Sequence, residues 1–305
     1  MKLAGGTIYA LRIPLAEAFR HSSQDREWSD AVVLRLWNDD GIEGFGEGLP
    51  RPYVTGESVE SMLACISREL WPAIAGRELP SGELGLAPID QLVPDAAADG
   101  VVAHNASRAA VEVAIADCVY TAAGRSLGKA LAPVVPAVTY SGVIPAGSVE
   151  QTRKISTQMR LMGLSAVKVK VGVGDDAARV AIARKILGPG VSLRLDANGA
   201  WSPAEALTML TRLHPFGIAC VEQPIARGPV EELQRFSAAC PVPVMVDESL
   251  ITIADAEALI AANAAQFFNI RISKCGGLAR SYRIATRALE AGIGVQIGCQ
   301  VGAAS

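Results

Sequence analysis

Three acids, Asp196, Glu222 and Asp247, lie 26 and 25 residues apart in the segments RLDANG, VEQP and VDES. Taken singly, each could cap a helix or pair with an arginine. Their matched spacing suggests instead that one structural unit delivers one carboxylate each time. Three carboxylates at one place repel, and a hard divalent cation relieves that repulsion. Mg²⁺ takes oxygen ligands and keeps positions open for water or substrate, and Mn²⁺ accepts the same oxygens.

A second chemical signal is AVKVKVG at positions 166–172. Val and Lys alternate with period two, so Lys168 and Lys170 share one face of a strand and the valines cover the other. Ammonium groups at i and i+2 stand about 7 Å apart and repel by about 2.4 kcal/mol at an effective dielectric of about 20. Repulsion and desolvation together lower a lysine's pKa toward neutrality, where it serves as a general base. On an edge strand the same pattern would be a solvated face. Here the strand is the second of a parallel series, where both faces are covered.

These residues need a scaffold. From about residue 137 the chain repeats strand, loop and amphipathic helix every 25 to 30 residues, with strands expected near 137–143, 166–171, 191–196, 218–222, 243–247, 266–272 and 294–298. Such alternation makes parallel strands with right-handed crossovers, in a closed barrel or an open doubly wound sheet. The acids fall at C-terminal strand ends, where a TIM-type barrel carries its active site. A barrel normally has eight strands, and the eighth is not visible before the sequence reaches GCQVGAAS. Residues before about 130 read as α+β: two strand regions, a turn at Asn38-Asp39-Asp40-Gly41, and helices near 57–73 and 105–124. The expected division is a capping domain over 1–130 and a β/α barrel over 131–305.

Composition narrows the partner. The chain has 305 residues, 50% hydrophobic and 19% charged, with net charge −3. Without a Lys/Arg block, neither nucleic acid nor an anionic membrane is the expected partner, and a small molecule is. Six cysteines lack CxxC or His spacing and read as reduced core thiols of a cytoplasmic protein. Neither an export signal nor a run of transmembrane length is seen. The segment GVGDDA (172–177) fits a dinucleotide fingerprint formally, but Asp175 and Asp176 would stand where a pyrophosphate needs positive potential.

The motifs GFGEGLPRPYVTGES, KVK, DANGAW, EQP, DES and NIRISKCGG together resemble the enolase superfamily, in particular its muconate-lactonizing (muconate cycloisomerase) and mandelate racemase-like members. The resemblance implies a TIM-like (β/α)7β barrel, its last strand not seen in this sequence, under an N-terminal α+β cap. It further implies Mg²⁺ on Asp196, Glu222 and Asp247, with Lys170 as acid/base. Lys168 would depress the pKa of Lys170 and contact the substrate carboxylate. The chemistry implied is abstraction of a proton α to a carboxylate, giving an enediolate.

Racemases and epimerases of this kind carry a second lysine after Asn-Ile on the sixth strand, where this chain has Arg271, a poor base because it stays protonated. Lys274, three residues on, has the opposite strand parity and ranks below Arg271 for facing the barrel. One-face chemistry follows as the main expectation: cycloisomerisation or β-elimination of a small carboxylate, with Arg271 holding an anion. An amino-acid or dipeptide racemase is the alternative, and a ligand-binding homologue with impaired catalysis a third. Asn198 is expected to support metal or substrate, or to serve only as a turn residue before Gly199. Tyr53 is expected to line the pocket or pack, and His21, in AFRHSSQDREW, to lie on a substrate lid. Relatives of this kind assemble as homo-oligomers, which is expected here too.

Overall fold

The computed structural model describes residues 1–20, 25–81, 85–95, 104–131 and 135–300. The expected lid residue His21 lies outside them. The N-terminal strands are β1 (Leu3–Arg20), β2 (Asp25–Asn38) and β3 (Glu43–Gly48), paired in that order as an antiparallel sheet. The turn between β2 and β3 is closed by Asn38, whose side chain accepts from the backbone of Asp40 and Ile42, with Gly41 at φ 77°. Helices α1 (Val59–Cys65), α2 (Trp71–Ile74), α3 (Leu86–Leu92), α4 (Asn105–Ala122) and α5 (Leu127–Ala130) follow, with a π-helical turn at Ile66–Leu70 between α1 and α2. Both helical regions expected from the sequence are present.

Helix α4 is buried along most of its length, between the sheet and the second half of the chain. The alternation Gly44, Gly46, Gly48 on β3 makes this possible. A Cβ at these positions would stand 2.3, 2.0 and 2.3 Å from the carbonyl oxygens of Ala114, Ala110 and Ala106. Helix backbone and strand backbone therefore meet with no side chain between them.

The second half alternates β4 (Ser141–Ile144), α6 (Val149–Leu161), β5 (Ala166–Lys170), α7 (Asp176–Leu187), β6 (Ser192–Asp196), α8 (Pro203–Leu213), β7 (Ile218–Glu222), α9 (Val230–Ala239), β8 (Val244–Val246), α10 (Ile253–Ala261), β9 (Phe267–Ile270), α11 (Leu278–Glu290) and β10 (Gly294–Ile297). All seven strands are parallel and lie side by side in sequence order, the curled sheet of a TIM-like barrel. Val167, Val169, Leu193, Leu195, Val221 and Phe268 turn outward into the layer under the helices and are buried there. The alternate residues turn inward. The first strand begins later than expected, at Ser141, because pairing to β5 starts with Ser141 opposite Ala166, and Val138 and Tyr140 stay exposed.

Of the six cysteines, all free, Cys65, Cys118, Cys220 and Cys275 are buried as expected, whereas Cys240 is half-buried and Cys299 exposed. Among the described residues, no helix is long and apolar enough to cross a membrane. The dinucleotide reading fails on geometry. Asp176 accepts from the Gly172 amide at 2.7 Å and Asp175 caps Ala178, so the helix N-terminus is already filled by the chain's own carboxylates.

Candidate active site at the strand ends

Register places the chemistry. Lys170, Asp196 and Glu222 stand opposite one another across β5, β6 and β7, and Lys168, Arg194 and Cys220 form the layer below. Asp247 follows directly on β8. Asp196, Glu222 and Asp247 are fully buried, so the cost of hiding three charges falls on whatever faces them.

In this structure the partners are cations of the chain. Lys168 Nζ lies 2.8 Å from Asp196 Oδ2 and 3.2 Å from Glu222 Oε2. Lys170 Nζ donates to the same Asp196 oxygen at 2.8 Å and to Asn198 Oδ1 at 2.5 Å. Burial pulls Lys170 below the ordinary lysine range, Asp196 opposes this, and Lys168 adds to the lowering. The expected direction is therefore present, but desolvation outweighs lysine–lysine repulsion as its cause. Burial also acts against charge on Lys168, yet Asp196 and Glu222 more than reverse it and Lys168 is raised. Asp196 is held well below the usual carboxylate range, because the two lysines overcome its desolvation.

The opposite wall is built differently. The chain leaves β9 at Ile270 and turns through residues 271–277, so strand parity does not extend to Lys274. Ranking Lys274 below Arg271 by parity is corrected here, because both converge on Asp247. Arg271 Nη2 pairs with Asp247 Oδ2 and lies 4.0 Å from Glu222. Lys274 Nζ, fully buried, donates to Asp247 O at 2.5 Å, Asp247 Oδ1 at 2.9 Å and Asn269 O at 2.9 Å. Those three acceptors occupy its three protons. Burial pulls Lys274 down to about 8.

Several residues outside the expected set support these groups. Gln223, at φ 39°, accepts from the Asp247 and Ser249 amides and donates to Ile225 O and Ser249 Oγ, tying the loop after β7 to the loop after β8. Asn198, at φ 46°, accepts from Lys170 and donates to Glu248 Oε1 at 3.2 Å, so it is both a turn residue and part of the site. Asn269 donates to Glu222 at 2.8 Å. Arg194 lies 3.5 Å from Glu222 and bonds Gln296 on β10. Arg179 fixes the end of β5 through the Lys170 carbonyl at 2.7 Å. Arg194 was open to the same parity argument as the lysines, being two residues before Asp196. Tyr53 belongs to a cap turn rather than the barrel and is half-buried. Its neighbour Arg51 donates to the carbonyl of Gln300, just beyond β10, at 3.1 Å.

Among the described residues, no three acid or histidine side chains are gathered as closely as a bound cation requires. Carboxylate repulsion, which a metal was expected to relieve, is relieved by Lys168, Lys170, Arg194, Arg271 and Lys274. The donor set nonetheless suits Mg²⁺ or Mn²⁺. Its atoms are all oxygens on neighbouring strand ends, and Glu248 Oε2 and Asn269 Oδ1 are buried beside them without a partner. A cavity of about 670 Å³ between α3 and α11, bordered by Asp90, Tyr282 and Arg283, is remote from this chemistry, and its Asp90 is already paired with Arg108.

A parallel β/α sheet whose strand ends gather buried carboxylates and lysines is the architecture of barrel enzymes that work at this rim. The family model described as "Enolase C-terminal domain-like" matches residues 151–305. Over 95% of this chain and 79% of the relative, the sequence is 29% identical to the L-Ala-D/L-Glu epimerase of Bacillus subtilis. It is 30% identical to muconate cycloisomerase 1 of Rhodococcus opacus, over 93% of this chain and 76% of that protein. The solved dipeptide epimerase of Enterococcus faecalis, complexed with Mg and the dipeptide L-Leu-L-Tyr, superposes with a TM-score of 0.86 at 28% identity, covering 98% of this chain and 83% of the other. The chain belongs to the enolase superfamily.

Proposed function

We propose that this enzyme abstracts the proton α to a carboxylate with Mg²⁺ bound, acting on an amino-acid or dipeptide substrate. The observation that carries the chemistry is the apposition of Lys168 and Lys170 to buried Asp196 and Glu222, with Asp247 buried at the end of the next strand. Similarity to epimerases of amino-acid derivatives supports the substrate class, so the main expectation of a cycloisomerase gives way to what was its alternative.

Asp196, Glu222 and Asp247 would hold the metal. Bound there, Mg²⁺ would supply the positive charge that an enolised carboxylate needs. Lys170, lowered by burial, takes the α-proton into its amine lone pair; Asn198 Oδ1 orients that amine at 2.5 Å. Lys168, kept charged by Asp196 and Glu222, attracts the substrate carboxylate. Buried valines behind both lysines keep water from that side of the strand.

Arg271 favours a second reading. Its guanidinium stays protonated at the wall opposite Lys170, and Lys274 has its protons engaged, so one-face chemistry such as cycloisomerisation suits this wall. Incubating the Mg²⁺-loaded enzyme in D₂O with N-acyl amino acids, dipeptides and muconate-like diacids tests both readings. Deuterium at the α-carbon of an amino-acid substrate is expected. Turnover of diacids alone would favour the second reading, and a protein that binds these acids without exchange or turnover would be the impaired homologue.

A further inference from the structure

Helix α4 presents its alanines to β3 and a polar row to the barrel. Asn105, Arg108 and Glu112, at i, i+3 and i+7, share one face and are all buried. Each bonds the backbone of one short segment, Arg108 doing so with Nη1 while its Nη2 stays within the first half of the chain on Asp90 and Val93. Asn105 Nδ2 donates to Lys274 O at 2.8 Å, and to Ile251 O, on the loop after β8, at 3.2 Å. Arg108 Nη1 donates to Gly276 O at 2.7 Å. The Glu112 carboxylate accepts from Leu278 N at 2.6 Å and Ala279 N at 2.9 Å, capping α11 from another part of the chain.

The turn is moulded to this row. Gly276 and Gly277 have φ of 85° and 121°, and a Cβ on Gly277 would stand 2.3 Å from Glu112 Oε2. That turn carries Arg271 and Lys274, whose side chains hold Asp247. A row serving only to glue cap to barrel could end anywhere on the barrel surface, but the bonds this one makes to the barrel fall on the loop that carries Asp247, on the turn after β9 and on the first residues of α11.

We infer that Asn105, with Arg108 and Glu112, is a positioning device through which the cap sets Asp247 for divalent-cation binding. The inference rests on the reading of Asp196, Glu222 and Asp247 as metal ligands. Asn105 fixes the Lys274 backbone, Lys274 orients Asp247 through its carbonyl and carboxylate, and losing such outer-sphere support costs about 10–100-fold in metal affinity.

The test titrates Mn²⁺ alone into the full chain, followed by electron paramagnetic resonance, with hydrogen exchange of residues 271–279 read by mass spectrometry. Asn105→Ala is the first variant. Glu112→Gln, nearly isosteric, serves if the first does not fold. Ser58→Ala, which removes the cap of α1, is the control for general loss of stability. Expected are Mn²⁺ binding weakened by about tenfold or more, and faster exchange at the Cys275 and Gly277 amides that close the turn, neither seen in Ser58→Ala. Unchanged or tighter Mn²⁺ binding with a lowered melting temperature overturns the inference. If the wild type binds no Mn²⁺, the proposed reaction loses its metal, while turn exchange no faster than in Ser58→Ala separately removes the clamp.

Discussion

The two walls of the rim hold the same kinds of charge by different means. On the β5 wall, Lys168 and Lys170 are strand residues, placed by period two and by register with β6, and supported from behind by Val167 and Val169. On the β9 wall, Arg271 and Lys274 come after the strand, on a turn whose course depends on two positive-φ glycines and on three side chains from a helix far earlier in the chain, Glu112 standing 166 residues before Leu278. The first wall is local and stiff. The second is assembled from a distance, its turn held through backbone bonds to the cap.

The contrast can be broken most severely at the first wall. Lys170→Ala is expected to lower α-proton exchange by about 10²–10⁴-fold, the usual contribution of a positioned base, while the protein stays folded. If Lys274→Met abolished exchange instead and Lys170→Ala did not, the base would sit on the other wall. Asp247→Asn strikes the second wall. It leaves Lys274, fully buried, with a weakened partner, and breaking a buried pair costs about 3–5 kcal/mol. Urea denaturation is expected to register most of that loss, alongside weaker metal binding; a change within error would mean that the Asp247 and Asn269 carbonyls alone satisfy Lys274.

These differences explain what was legible in the sequence. Strand positions, the three acids and the two lysines follow from periodicity and spacing, because a side chain inside a strand has only two directions to point. The same rule reaches Arg194 and Asn269, each two residues before a site residue. It fails for Lys274, since nothing local marks Ile270 as the last strand residue. It also fails for Gln223 and Glu248, whose roles arise only when loops from neighbouring units meet. GFGEG reads as a strand from the sequence, but that its glycines serve close contact between β3 and α4 is visible only when the two elements meet.

A smaller effect sharpens the first wall. Lys168 lowers the pKa of Lys170, and it shares Asp196 with it. Lys168→Met removes a positive neighbour and leaves Asp196 to Lys170 alone, and both changes favour the protonated amine. Exchange that depends on neutral Lys170 rises with pH, so its acid limb is expected to move to higher pH in the variant. A limb that stays in place or moves down would mean that the titrating base is not Lys170.

The subtlest prediction concerns stereochemistry at the second wall. Arg271 pairs with Asp247 and lies 4.0 Å from Glu222, a permanently charged fork where a base for the far face of the α-carbon would have to stand. Arg271→Lys replaces the fork with an amine that can lose its proton, without removing the positive partner of Asp247. On the one-face reading, the wild type places deuterium in a single enantiomer of an amino-acid substrate and the variant begins to release the second slowly. Should the wild type already label both enantiomers, Arg271 is no barrier to epimerisation, and Lys274, down at about 8 through burial, becomes the group to replace next.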